Sequence, residues 1–213
     1  SHRESLKIAT LFTKEEDAIG NFGTQIVFQN LKQFSFSKTF DYDSKNKLYS
    51  FKQNLNPTFN LLIIGAEHDS VKLCEMAALL GWQVDIITSV KDPKDKSTFP
   101  GANSVIGSNA EMIDFSNVDS NTGIVIMNHS YVQDLKYLLK LVDEKPSYLG
   151  VLGSVKRRDR MFNDLFEYNS KISEMFLESI FTPAGLNIGA ETPEEISISI
   201  LSEILSIIKI KKL

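Results

Sequence analysis

Two hydrophobic rhythms divide the chain near residue 57. In LKIATLF (6 to 12), GTQIVFQN (23 to 30), FSFSKTF (34 to 40) and KLYSFKQN (47 to 54), apolar side chains recur at every second position, as at Phe34 and Phe36 or Tyr49 and Phe51. Alternation of this kind turns one face of a strand to a core and the other to water. Turn-prone residues separate the segments, among them Gly20-Asn21 and Asp43-Ser44-Lys45-Asn46. Residues 1–56 therefore read as a small antiparallel β unit. Asn56-Pro57 then punctuates the chain, because the residue before a proline is driven toward extended backbone.

From residue 57 to 213 short continuous apolar runs alternate with helical patterns. Strands are expected near 61–65, 83–88, 104–106, 123–128, 147–152 and 179–182, with helices near 68–80, 109–115, 131–143 and 155–168. Strands that are apolar on both faces need cover on both faces. The pattern is that of a doubly wound, mainly parallel, Rossmann-like α/β sheet. Right-handed crossovers in such a sheet place ligands beyond the carboxyl ends of the strands, where the strand order reverses. A last helix starts at Thr192-Pro193-Glu194-Glu195, which offers an N-cap threonine, a proline at the first helical position and a glutamate three residues after the cap. The following ISISIL alternates like a strand. Ile196, Ile200, Ile204 and Ile208 also recur every four residues, and Lys209, Lys211 and Lys212 suit a helix carboxyl end, so a helix is expected.

Composition narrows the function classes. The 213 residues are 42% hydrophobic and 23% charged, ordinary for a globular protein, and no apolar run approaches the roughly 18 to 20 residues of a membrane span. A net charge of −4 gives no global attraction to nucleic acid or anionic lipid. Any anion site must be local. The single Cys74, between Leu73 and Met76 in an expected helix, excludes a disulfide framework or a cysteine metal cage within one chain and reads as core packing. With no signal peptide, a reducing cytoplasmic location is expected. The opening Ser1-His2-Arg3, without methionine, is expected of a processed, tagged or truncated chain.

Three loops should converge at the carboxyl edge. The first, GAEHDS (65 to 70), keeps only the first glycine of a dinucleotide fingerprint. Glu67 puts a side chain and a negative charge where a phosphate would approach the helix N-terminus. The strand QVDIIT ends in Thr88 rather than in an acid for a ribose hydroxyl, and Asp85 lies inside that strand. Ordinary NAD binding is disfavoured. The second loop is Asn128-His129-Ser130, with Asp134 one turn further on. His68 and His129 could face each other across the crevice and, with Asp69 and Asp134, make a weak metal or acid/base constellation; the plainer reading has both histidines capping helices or bonding backbone carbonyls. The third loop lies in YLGVLGSVKRRDR (148 to 160), where Gly153-Ser154 opens a helix whose first turns carry Lys156, Arg157, Arg158 and Arg160. Helix N–H donors beside guanidinium groups suit an anion, although a solvated charged face explains some of these residues. A fourth segment, FTPAGLNIGAETPEE (181 to 195), could close the crevice edge through Gly185 and Gly189.

GAEHD followed by ALLGWQVDII, FPGA at 99 to 102, the Asn128-His129 loop, YLGVLGSVKRR and PAGLNIGAETPEEISISILSEI resemble, in this order, the C-terminal domain of the xanthine dehydrogenase accessory (XdhC/CoxI) family, over about residues 57 to 208. The family loop resembles GAGHDA, so Glu67 replaces a glycine, Thr88 replaces a strand-end aspartate, and Asn128-His129-Ser130 replaces a Thr-His-Asp triplet. The family's N-terminal domain, with its glycine-glycine-cysteine motif, has no counterpart in residues 1 to 56. The resemblance implies an assembly factor that binds the molybdenum cofactor, protects it during sulfuration and hands it to a xanthine dehydrogenase-type apoenzyme. That makes it a cofactor-binding chaperone with no catalytic residue or metal ligand of its own. The implied cofactor contacts are Gly65, Ala66, His68, Asp69, His129, Gly153, Ser154, Lys156, Arg157 and Arg158. The implied partners are the molybdoenzyme and a sulfur donor protein, with a homodimer as a further option and neither nucleic acid nor membrane. An NAD(P)-linked oxidoreductase and a ligand-free dimerisation or docking module are the alternatives.

Overall fold

The computed structural model describes residues 6–14, 23–27, 39–45, 48–55 and 57–210, and it divides the chain into two compact units, Ser1–Pro57 and Thr58–Leu213. The expected strand positions Phe34 and Phe36, the Gly20-Asn21 turn and the terminal Lys211 and Lys212 lie outside the described residues. In the first unit, β1 (Leu6–Phe12), β2 (Gly23–Val27), β3 (Thr39–Asp43) and β4 (Leu48–Leu55) form an antiparallel sheet in the order β2-β1-β4-β3. The aromatic alternation has a direct use there. Tyr49 pairs with Phe12 on one side and Tyr42 on the other, with ring centroids 5.4 and 4.6 Å away, and such cross-strand pairs stabilise a sheet beyond its ladder bonds. The turn between β3 and β4 is fixed by the Lys45 N–H, which donates to Asp43 Oδ1 at 2.9 Å.

In the second unit all the strand pairings are parallel. The strands β5 (Asn60–Ile64), β6 (Gln83–Thr88), β7 (Ser104–Gly107), β8 (Thr122–Ile126), β9 (Tyr148–Val151) and β10 (Ile180–Phe181) lie in the order β10-β9-β8-β5-β6-β7. The chain steps outward from β5 to β7, then returns to the other side of β5 with β8. Strand order reverses between β5 and β8, which is where a Rossmann-like sheet opens its crevice. The helices are α1 (His68–Leu79), α2 (Tyr131–Lys140), α3 (Val155–Tyr168), a short α4 (Glu174–Glu178) and α5 (Pro193–Ile210).

Two cores sandwich the sheet. On one face Leu61, Ile63, Val84, Ile86 and Val125 pack with Leu73, Cys74 and Ala77 of α1 and Ile200, Leu201 and Ile204 of α5. On the other, Ile64, Ile87, Ile124 and Ile126 pack with Leu135 and Leu138 of α2 and Met161 and Leu165 of α3. The helical reading of residues 193 onward holds because tertiary burial follows the four-residue isoleucine spacing. The intervening serines find backbone acceptors: Ser197 Oγ donates to Pro193 O one turn back at 2.7 Å, and Ser199 Oγ to Leu186 O in the preceding loop at 3.0 Å. The expected cap is a reciprocal box, with Glu195 N donating to Thr192 Oγ1 at 3.2 Å and Thr192 N to Glu195 Oε2 at 3.1 Å.

The helix expected near 109–115 does not form. This stretch runs in turns, because its Asp and Ser side chains satisfy nearby backbone more readily than a helix would. Asp114 accepts from Ser116 N at 2.9 Å and Ser116 Oγ at 2.8 Å. Phe115 still reaches the core without it. Helix α2 ends at Lys140 rather than 143. The five-residue α4, capped by Ser173 Oγ on Phe176 N at 3.2 Å, is absent from the sequence expectations because it is too short for periodicity to show.

Candidate functional site

The crevice begins with a glycine. Gly65 follows β5 with φ +140°, and a Cβ there would sit 2.6 Å from the carbonyl oxygen of Met127 at the end of β8. Its N–H donates to Ile87 O at 2.9 Å, while Met127 N donates to Ile64 O at 2.7 Å. The loop therefore presses against the neighbouring strand at the point of reversal, and packing alone requires the glycine. Ala66 is half-buried and Glu67 occupies the N-cap position of α1 with extended backbone. The Glu67 side chain does not cap the helix. Its Oε2 lies 3.6 Å from His129 Nε2, across the reversal. Glu67 is also among the charges, after Asp92, that raise the pKa of Lys94.

The expected confrontation of His68 with His129 is corrected here: the group paired with His129 is Glu67. The N-cap residue projects across the crevice, whereas His68 is already the first residue of α1. Neither histidine caps a helix, since Glu67 and Ser130 hold those positions. Among the described residues no three His, Cys, Asp or Glu side chains gather to hold a metal. Asp134 in particular is taken up by other partners. It is fully buried, accepts from Asn128 Nδ2 at 3.0 Å and is ion-paired with Arg157 Nη2. Burial pushes its pKa up to about 6, against the opposing pull of Asn128 and Arg157.

Arg157 belongs to the third loop, where Ser154 caps α3 by accepting from Arg157 N at 3.3 Å. A Cβ at Gly153 would meet Arg157 Cδ at 2.9 Å, so this glycine is the channel through which the arginine runs back to Asp134. Its guanidinium and that of Arg160 lie 5.6 and 4.6 Å from the centre of the Tyr131 ring. The Tyr131 hydroxyl donates to Asp164 Oδ2 at 2.6 Å, and burial together with that carboxylate pushes its pKa up to about 12. Arg158 pairs with Asp159 at 3.0 Å and Arg160 with Asp164 at 3.6 Å. Of the four cations, Lys156 alone has no ion pair among the described residues, and it is exposed.

One helix in this unit breaks an electrostatic rule. Helices α1, α2, α4 and α5 each carry an acid in the first turn, as the positive end of a helix dipole favours, whereas α3 has none and carries Lys156, Arg157 and Arg158 there. Arg157 and Arg158 are balanced by Asp134 and Asp159, which leaves Lys156 as the cation of that turn with no ion pair among the described residues.

The fourth segment is anchored by residues that its own sequence does not single out. Glu203 Oε2 accepts from Gly185 N at 2.9 Å and from the Tyr148 hydroxyl at 2.6 Å, and the Tyr148 ring stacks on Phe181 with centroids 4.8 Å apart. A Cβ at Gly185 would lie 2.1 Å from Ser199 Oγ. The only signal for these anchors is the carboxylate on the core-facing side of α5, a position normally left to apolar residues. Cys74 is buried with its Sγ 3.6 Å from Pro100 O, and burial pushes its pKa up to about 11, so it is packing rather than a reactive thiol. Two hollows, of about 250 and 600 Å³, lie elsewhere: one includes Asn60 and Thr122, the first residues of β5 and β8, and the other Pro146 to Leu149 and α4. The charged loops lie at the opposite, carboxyl ends of those strands.

No helix among the described residues is long and apolar enough to cross a membrane. The family model of the XdhC Rossmann domain matches residues 61–204. Among curated proteins, the chain is 31% identical over 157 residues to a probable xanthine dehydrogenase component of Bacillus subtilis (strain 168), covering 73% of this chain and 44% of that one. It is 30% identical over 152 residues to the uncharacterized protein YqeB of Escherichia coli (strain K12), covering 69% and 27%. It is 23% identical over 160 residues to the molybdenum cofactor insertion chaperone PaoD of the same organism, covering 75% and 43%. The chain thus spans less than half the length of these curated relatives. A crystal structure of a xanthine dehydrogenase from Bacillus halodurans shares the fold, with a TM-score of 0.69 at 21% identity, over 97% of this chain and 60% of that one. Through its second unit, the chain belongs to the XdhC Rossmann domain family.

Proposed function

We propose that the chain is the cofactor-handling part of a molybdenum hydroxylase accessory factor, which binds the molybdenum cofactor and assists its maturation and insertion into a xanthine dehydrogenase-type enzyme. The observation that carries this reading is the amino end of α3, where Lys156, Arg157 and Arg158 crowd the positive end of a helix with no acid in its first turn. The pterin cofactor ends in a phosphate, and helix N–H groups beside cationic side chains are a recurrent solution for that group. The residues present fit such a group. Lys156, and Arg158 on exchanging its Asp159 partner, are the cations toward a ligand, Gly153 and Ser154 set the turn, and Arg157 braces it from behind through Asp134. Gly65, Ala66, His68, Asp69 and His129 form the other side of the rim, toward the remainder of the ligand. When bound, the cofactor supplies the molybdenum centre that the client enzyme uses.

The names of two relatives support the same reading, one a molybdenum cofactor insertion chaperone and the other a probable component of a xanthine dehydrogenase. No residue needs to turn over a substrate in this role. The client molybdoenzyme and a sulfur donor protein are the partners it calls for, with a second copy of the chain as a further one, in a cytoplasmic setting that suits the free Cys74. Titration of the purified protein with molybdenum cofactor, followed by absorbance of the bound pterin, tests it. Micromolar binding that falls at least about tenfold in a Lys156→Ala/Arg158→Ala variant is expected. Absence of binding by the parent defeats the proposal.

A further inference from the structure

The seat that a dinucleotide takes in a sheet of this topology has two corners: a pyrophosphate at the amino end of the first helix, and a ribose beside an acid at the end of the second strand. Both corners are altered here, by different residues. At the first, Glu67 leaves α1 uncapped and carries its carboxylate across to His129 at 3.6 Å, with Lys94 close enough to sense the charge. That carboxylate is an exposed anion fixed at the mouth of the helix N-terminus, held toward His129 rather than bonded to the helix N–H groups. Gly65, which a nucleotide reading would credit to phosphate approach, is accounted for by its contact with the Met127 carbonyl. At the second corner Thr88 is 1% exposed, with Oγ1 3.7 Å from where a Cβ on Gly107 would lie, so neither an acid nor an open hydroxyl is offered. Asp85, the acid nearest in sequence, is committed to Asn103 Nδ2 at 2.8 Å and Ser104 Oγ at 2.6 Å.

We propose that Glu67 is a selectivity element that bars a second phosphate from the amino end of α1, so that the rim accepts the monophosphate form of a pterin cofactor and rejects its dinucleotide forms and NAD(P). Selectivity among pterin forms rests on the reading under Proposed function; the exclusion of a pyrophosphate stands without it. A ligand with one anionic end finds the basic turn of α3 open. A ligand with two must either displace Glu67 from His129 or bring like charges together.

The experiment compares the parent with Glu67→Gly, which opens the space, and Glu67→Gln, which keeps the shape and removes the charge. The Glu67 side chain makes no capping bond, so both variants are expected to keep the parent's melting temperature. Calorimetric titration with ADP and with NAD reads the exclusion directly. Removing a like charge a few ångströms from a phosphate should tighten ADP binding by about tenfold or more in Glu67→Gly, with Glu67→Gln between it and the parent. ADP binding by the parent as tight as by Glu67→Gly overturns the proposal, as does a failure of both folded variants to gain. In a parallel arm the parent is offered the monophosphate and dinucleotide forms of the molybdenum cofactor. Equal affinity for the two also overturns the selectivity. Binding of neither form by any variant defeats only the cofactor reading, and the ADP arm then decides the role of Glu67.

Discussion

Cutting the buried ion pair between Asp134 and Arg157 should give opposite results depending on which partner is removed. Asp134 is fully buried, whereas the Arg157 side chain keeps 26% of its surface in water. In the unfolded chain the Asp134 carboxyl ionises near 3.8, and in the fold near 6, with burial the leading cause. The folded state therefore holds the proton more tightly. The contribution of this group to stability is fully present below the unfolded value and is lost as pH rises through the folded one. At about 1.4 kcal/mol per decade, the displacement amounts to roughly 3 kcal/mol lost between about pH 4 and pH 7. Asp134→Asn keeps the volume and removes the charge. It should be more stable than the parent by up to about 3 kcal/mol at pH 7, with the gap closing toward pH 4. Arg157→Met leaves the carboxylate buried without its cation and should lose about 3 kcal/mol or more at pH 7, with a smaller loss at pH 5 where Asp134 is protonated. The double variant should regain more than that loss and end above the parent, and its excess over the sum of the two single changes is the coupling energy of the pair. Urea unfolding followed through Trp82 fluorescence at pH 5, 6 and 7 measures all four proteins. An Asp134→Asn protein less stable than the parent by more than about 1 kcal/mol at pH 7, or a gap that does not change with pH, would refute the argument.

Gly65→Ala should destabilise the second unit by about 2 kcal/mol or more, since its Cβ would meet the Met127 carbonyl and its φ of +140° is foreign to alanine; a thermal melt within about 2 °C of the parent would show that the loop turns by another route. Cys74, buried and with its pKa pushed up to about 11, should resist a thiol reagent such as dithionitrobenzoate at pH 8 in the native protein and react within minutes in denaturant. Rapid native modification would mean that the α1 core opens readily.

The sheet was legible because its signal is redundant. The runs LLII and GIVI are apolar on both faces, and VDII is so apart from Asp85; a strand so placed has few options other than the middle of a covered parallel sheet. Caps were legible for a similar reason, as Thr192 and Glu195 are three residues apart and complete each other within one turn. The stretch 109–115 failed the same treatment. Its apolar Met112, Ile113 and Phe115 suggest a helix, but the competition is set by Asp114 accepting from the backbone N–H and hydroxyl of Ser116, a choice that depends on small local energies and leaves little trace in periodicity.

The candidate site was legible in its loops and not in the pairings within them. Sequence placed Glu67, His129, Asp134 and Arg157 on three loops at one edge of the sheet, and the strand order brings those loops together. It could not say that Glu67 would meet His129, because that depends on an N-cap side chain choosing a partner across the crevice over its own helix. Nor could it separate Arg157 from Lys156 and Arg158, three cations in a row. The separation comes from helical geometry and from the missing Cβ of Gly153, which lets one of the three run inward to Asp134 while its neighbours stay at the rim. A run of like charges at the start of a helix thus contains two kinds of residue. The inward one has its counter-charge buried 23 positions earlier in sequence; of the outward two, Arg158 is paired with the neighbouring Asp159, and Lys156 alone stands without an ion pair among the described residues, at the positive end of a helix with no acid in its first turn.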